Sequence, residues 1–194
     1  MDFDPETHRK RLKRFNVPGH AHFLTFSTHD RRPLLTNDLW RTWLANEIRT
    51  ACDEQTVHLW AYVFMPEHVH LLVKPRKESY DIGLFLRQIK ENFSKKIVGH
   101  LKDTNTSLLD KLRIRERPGK WCYRFWLEGG GYDGNVWSMK LAVEKARYCH
   151  WNPVKRRLVR SPELWRWSSF RWLEWNDHDN APLRVDDWDE TLIE

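Results

Sequence analysis

The ten residues Phe64-Met65-Pro66-Glu67-His68-Val69-His70-Leu71-Leu72-Val73 constrain this chain more than any other stretch. They read as an apolar strand interrupted by two histidines at i and i+2. Alternate side chains of a strand share a face, so His68 and His70 point one way while Val69, Leu71 and Val73 point the other. Burying two imidazoles costs free energy unless each finds a partner. That partner is either backbone and water at a sheet edge, or a metal ion held between the rings.

A second stretch, Glu144 to Lys155, bears on the choice. It follows a helical run and places Tyr148 and Asn152 four residues apart, a spacing that stacks both on one helix face. A phenol able to act as nucleophile and an amide able to act as ligand then face one site. Pro153 follows directly and predicts that the regular helix ends or kinks there. Glu67 sits in the turn before the histidines. By alternation it faces away from them, which ranks it below Asn152 as a ligand.

Together "MPEHVHLLVKP" and "ARYCHWNPVKRRLV" resemble the single-tyrosine, His-hydrophobe-His transposases of the IS200 type. They are most similar to the relatives associated with repetitive extragenic palindromes (REP). The resemblance runs from about Arg14 to Trp172. It implies a ferredoxin-like core, with Mg²⁺ or Mn²⁺ held by His68, His70 and Asn152 and with Tyr148 as nucleophile. The implied substrate is single-stranded DNA, often folded into a hairpin. Cleavage would leave a 5′-phosphotyrosine and a free 3′-hydroxyl, and monomeric and homodimeric forms both stay open. Relatives more often carry Asn where this chain has Glu67. The motif helix holds no second tyrosine, which disfavours a two-tyrosine relaxase.

Charge supports a polyanionic partner. The net +6 of the 194 residues conceals two basic segments, Leu84 to Lys120 at +6 and Lys140 to Leu173 at +7, and a tail from Glu174 at −7. Basic clusters among aromatics suit nucleic acid, although solvated helix faces carry such charge too. The candidate DNA contacts are Arg14, Lys90, Lys95, Lys96, Lys145 and Lys155. Charge reversal at Lys95 and Lys96 is expected to weaken binding more than reversal at Arg31 and Arg32, which lie outside both segments. Twelve Trp serve as core anchors or as stacking platforms for unpaired bases. Three scattered cysteines, with no C-x-x-C pair, argue against a disulfide framework and a structural zinc site. The acidic start predicts no signal peptide, and no apolar run is long enough to span a bilayer. The expected location is cytoplasmic, with the nucleoid.

The pattern along the chain predicts an α+β fold: a split βαβ core with an antiparallel sheet and packed helices, plus a Trp-rich C-terminal extension. The expected divisions are a basic arm over 1–20, a catalytic domain over 21–160, and an aromatic cap with an acidic tail over 161–194. Strands are expected at Phe23–Thr28, Val57–Met65, His68–Val73 and Trp121–Leu127. Helices are expected at Asp38–Asp53, from Ile82 to about Leu101, and from Asn135 through Tyr148. Asp103–Lys120 reads as a loop, Gly129-Gly130-Gly131 as a turn, and the stretch after Trp175 as poorly ordered.

The functional expectation is a metal-dependent transposase-like nuclease and strand transferase. The alternative is a domesticated binder of structured DNA or RNA that has lost cleavage; the intact motif favours the enzyme. A cupin-like metal site would need a Glu shortly after His70, and Leu71-Leu72-Val73-Lys74-Pro75 has none.

Overall fold

The computed structural model describes residues 14–188. The basic cluster at Arg9-Lys10-Arg11 and Lys13, and the last residues of the acidic tail, lie outside the described residues. Four strands form the main antiparallel sheet: β1 (Ala21–Ser27), β2 (Val57–Phe64), β3 (His68–Pro75) and β6 (Tyr132–Val136). Their spatial order is β2-β3-β1-β6. Helices α1 (Asp38–Gln55) and α2 (Ile82–Thr104) follow β1 and β3, and α4 (Met139–Lys155) follows β6. This is the expected split βαβ arrangement.

Strand alternation gives the sheet two unlike faces. Leu24, Phe26, Leu59, Tyr62, Phe64, Val69, Leu71 and Val73 form one core with Leu44, Ile48, Phe85, Ile89 and Phe93 of α1 and α2. On the other face, Ala21, Phe23, Trp60, Ala61, Val63 and Leu72 pack with Ala142, Ala146 and Cys149 of α4. Trp60 and Ala61 share that face although adjacent, because the pairing with β3 shifts register between Leu59 and Ala61 and a bulge resets the alternation. The helix starts follow capping chemistry. Asn37, Asp81 and Ser138 each accept from backbone N–H groups of the first turn of α1, α2 and α4, satisfying donors that the helix itself leaves open.

Several local expectations are corrected. Asp103–Lys120 is not a loop: it holds α3 (Thr106–Leu112), β4 (Arg113–Arg117) and the start of β5 (Lys120–Tyr123). Strands β4 and β5 pair with each other as a separate ribbon. Only Trp121–Tyr123 of the expected Trp121–Leu127 strand belongs to a strand, and that strand is β5 of the ribbon. The main sheet's fourth strand is β6 instead, so α4 begins at Met139 rather than at Asn135. The chain does run along β1 at Trp126, which bridges Thr28, then loops out through the glycines and rejoins β1 at Tyr132 opposite Thr25. Gly131 makes the return possible. Its φ is +69°, and a Cβ there would fall 1.9 Å from the Thr25 carbonyl oxygen, which no side chain can tolerate.

Pro153 does not end α4 before Asn152. The helix runs through to Lys155, because a proline in the last turn forfeits one hydrogen bond while its fixed φ still suits a helix. The tail after Trp175 is not loose either. Leu183 and Val185 are buried in the α1/α2 core, and Trp188 stacks on Trp60 with ring centroids 5.4 Å apart. Asp186 accepts from the Leu59 amide at 2.8 Å and pairs with Arg49. Ser168 bridges Val63, so the C-terminal segment lies along the free edge of β2 and shields its backbone groups from pairing with another chain. Composition misses this because the apolar anchors sit singly among the acids.

Candidate active site

His68 and His70 stand on the α4 face of β3, with His70 buried between Phe23 and the tyrosine helix. Their Nε2 atoms face each other at 3.1 Å. Each Nδ1 is engaged from behind: that of His68 at 3.1 Å from Glu67 Oε1, and that of His70 at 2.7 Å from Thr25 Oγ1. A carboxylate only accepts, so His68 carries its proton on Nδ1. Asn152 Nδ2 lies 3.1 Å from His70 Nε2; donation there leaves His70 protonated on Nδ1 as well. The Nε2 lone pairs of both rings thus converge in a buried place, with the Asn152 amide beside them.

Burial favours the neutral rings. It pushes the His70 pKa down to about 3, with the neighbouring His68 adding to the effect. His68 is also lowered by burial, against the opposing pull of Glu67. Lone pairs that meet without a proton between them repel, and a cation removes the repulsion. Adjacent ligands on an octahedral ion with bonds near 2.1 Å lie about 3 Å apart, close to the spacing seen. Among the described residues no group of three or more His, Cys, Asp or Glu could hold a metal; the third donor here is an amide. Turning the Asn152 amide about its last bond presents Oδ1 in place of Nδ2. The donor set therefore fits a divalent cation.

Tyr148 lies one turn before Asn152 on α4. Its ring meets His70 edge-on at 5.2 Å and Phe23 at 5.8 Å between centroids, and it is 41% exposed. A core tyrosine would be covered; this one borders the histidines and opens to solvent. Lys155 Nζ lies 5.2 Å from the centre of its ring, and Lys145 Nζ lies 5.3 Å from that of Phe23. Both ammonium groups thus lie beside the packed Tyr148 and Phe23 rings.

The structure brings together Tyr148, His68, His70, Asn152, Lys145 and Lys155, and separates the other candidates. Lys95 and Lys96 ride on α2, across the sheet; Lys96 reaches Glu47 and the ring of Trp43 on α1. Lys90 donates to the Gly129 carbonyl at 2.9 Å, and its burial, beside Arg14 and Arg124, lowers its pKa to about 8. Arg14 donates to Gly130 and lies 3.6 Å from Asp133. Arg14 and Lys90 thus tie the glycine turn in place. Arg31 lines a cleft with Thr25, Ser27, Tyr132 and Lys90 itself. Lys95 and Lys96 thus lie across the sheet from the histidines while Arg31 lies near them, because charge clusters along the chain do not report which face of the sheet they occupy.

Glu67 is a further correction. It does not face away from the histidines: the turn leaves strand alternation, and its carboxylate reaches back to His68 Nδ1 while pairing with Arg156 at 2.5 Å. Arg156 follows α4 directly, so this ion pair joins the histidine strand to the tyrosine helix. Thr25 and Phe23 lie in no motif of the sequence, and Arg156, although inside the second motif, is not singled out by it. Only the pairing of Thr25 with His70 across the β1–β3 register reveals the first.

The family profile described as "Transposase IS200 like" matches residues 17–113, half of the chain. The chain belongs to the IS200-like transposase family. A Haemophilus influenzae protein named as a REP-associated tyrosine transposase is 24% identical over 156 residues, covering 78% of this chain and 80% of its own. The IS200-like fold is shared with a solved REP-associated tyrosine transposase bound to a REP hairpin, at TM-score 0.61 and 20% identity over 95% of this chain and 97% of that one. A Deinococcus radiodurans transposase structure is more distant, at TM-score 0.42 and 17% identity over 74% and 94%. The profile ends at Arg113, so the tyrosine helix lies beyond it.

Proposed function

We propose that this IS200-like chain is a metal-dependent nuclease and strand transferase acting on single-stranded DNA that carries a hairpin, with Tyr148 as its nucleophile. The observation that carries the reading is the meeting of two neutral imidazole nitrogens at 3.1 Å beside Asn152 and a half-exposed tyrosine. The DNA named in the description of the REP-associated relative supports the hairpin substrate.

His68, His70 and Asn152 would hold Mg²⁺ or Mn²⁺. When bound, the ion offsets phosphate charge and polarises the phosphoryl oxygen. Glu67 and Thr25 hold the two rings in the tautomer that leaves Nε2 bare, as carboxylates and hydroxyls commonly do behind ligating histidines. The Tyr148 oxygen attacks phosphorus as its proton leaves; the P–O3′ bond breaks, and the departing 3′ oxygen takes up a proton. The products are a 5′-phosphotyrosine and a 3′-hydroxyl. Because the phosphodiester energy is retained, attack by a 3′-hydroxyl rejoins strands. Lys145 and Lys155 hold the phosphate against the phenol.

The test is incubation with labelled hairpin-flanked single strands and Mg²⁺ or Mn²⁺, followed by denaturing electrophoresis. A covalent adduct is expected with the natural chain. Tyr148→Phe should give none while binding DNA within about twofold, since only a hydroxyl is removed and the ring still packs. Adduct persisting in Tyr148→Phe removes the nucleophile from the scheme.

A further inference from the structure

The β4–β5 ribbon is absorbed neither by the core nor by the active site. Its ladder pairs Arg113 with Tyr123, Ile114 with Cys122, and Arg115 with Trp121. Directly paired residues share a face, so Arg113, Arg115, Trp121 and Tyr123 lie on one side, Ile114 and Cys122 on the other. The second side is half-buried; the first is exposed, Trp121 at 54% and Tyr123 at 38%. From Arg113 to Arg124 there are five Lys/Arg and one Glu. Lys120 and Arg124 are paired with Glu116 and Glu128. Among the described residues Arg113 and Arg115 form no ion pair, and the Arg113 guanidinium lies 4.8 Å from the centre of the Trp121 ring.

Both ends of the ribbon are anchored. Leu112 before it and Phe125 after it are buried in the α1/α2 core. Arg124 N donates to the Leu112 carbonyl, and Arg32 donates to that of Lys111. The result is a rooted two-stranded arm that presents arginines and aromatics outward.

We propose that this arm docks on the duplex stem of the hairpin DNA, with Arg113 and Arg115 on its phosphates or base edges and Trp121 packed against the backbone. A two-stranded ribbon fits the DNA major groove, and unpaired arginines complement a duplex's dense charge. The proposal rests on the hairpin-DNA reading above but concerns a surface that the chemistry does not use.

The test compares the full chain with Arg113→Glu/Arg115→Glu and, as a milder change, Trp121→Ala. Two probes serve: a hairpin with its flanking single strand, and an unpaired strand of equal length. The double variant should lose at least about tenfold in hairpin affinity, and the slope of log K against log salt should fall by about 2. Trp121→Ala should lose less, and neither should change affinity for the unpaired strand or the thermal midpoint. Wild-type affinity of the double variant for the hairpin overturns the ribbon assignment. Equal losses on both probes also overturn it, making the ribbon a general phosphate surface. If the natural chain binds no hairpin at all, the parent reading fails and this one falls with it.

Discussion

His22 and His70 are both buried histidines on adjacent, hydrogen-bonded strands of one sheet, yet their surroundings differ in kind. His22 is satisfied on both sides: Nδ1 meets Asp133 at 2.8 Å, and Nε2 meets the Tyr80 hydroxyl at 2.7 Å. That hydroxyl donates in turn to the Val17 carbonyl. This network ties together β1, β6, the segment before α2 and the chain entering β1. His70 is held on one side by Thr25, while its other nitrogen faces both a second imidazole and the Asn152 amide. Burial is nearly the same for both. What separates the structural histidine from the candidate ligand is what meets the second nitrogen: a hydroxyl fixed by its own onward bond at His22, a second imidazole and a side-chain amide at His70.

The largest contrast should come from matched truncations. His22→Ala leaves the buried Asp133 carboxylate with Arg14 alone and should cost about 3 kcal/mol of stability, read from urea unfolding. His70→Ala should cost only about 1 kcal/mol, because it also removes a facing lone pair, and should bring adduct formation to background. Similar stability losses from both would erase the distinction.

Asn152→Ala sharpens it at intermediate size. One donor of three is lost, so Mn²⁺ affinity should fall at least about tenfold, and raised Mn²⁺ should partly restore cleavage. Calorimetric titration of Mn²⁺ gives a readout independent of activity. Unchanged affinity would remove Asn152 from the donor set.

The smallest effect concerns a third histidine. His150 is buried on the far side of α4 from Tyr148, where Nε2 meets Ser169 Oγ at 3.0 Å. Burial lowers its pKa to about 4 despite Glu174 at 3.9 Å. Its neutral form is therefore the folded one. The unfolded chain takes up a proton near pH 6.5, so stability is full above that value and declines as pH falls toward 4. His150→Gln should flatten that part of the stability–pH curve. An unchanged slope between pH 6.5 and 4 would show that other groups carry it.

Much of this architecture was legible in the order of residues. Apolar alternation around His68 and His70 set their common face, because the strand period is local. The four-residue step from Tyr148 to Asn152 did the same on a helix. Caps at Asn37 and Asp81 marked two helix starts through chemistry confined to one turn. The IS200-type motifs then supplied the expected ferredoxin-like core.

Tertiary structure decided the rest, where partners are distant in the chain. Thr25 behind His70, Arg156 on Glu67 and Asp186 on the edge of β2 come from separate elements, and no local pattern encodes such pairings. The glycine run divided an edge strand that composition placed wholly before it, because the need for Gly131 comes from the Thr25 carbonyl rather than from its own neighbours. Lys95 and Lys96 are basic in sequence, but the sheet stands between them and the histidines. Charge and hydropathy are properties of residues, whereas a site is a property of which faces the fold turns toward one another.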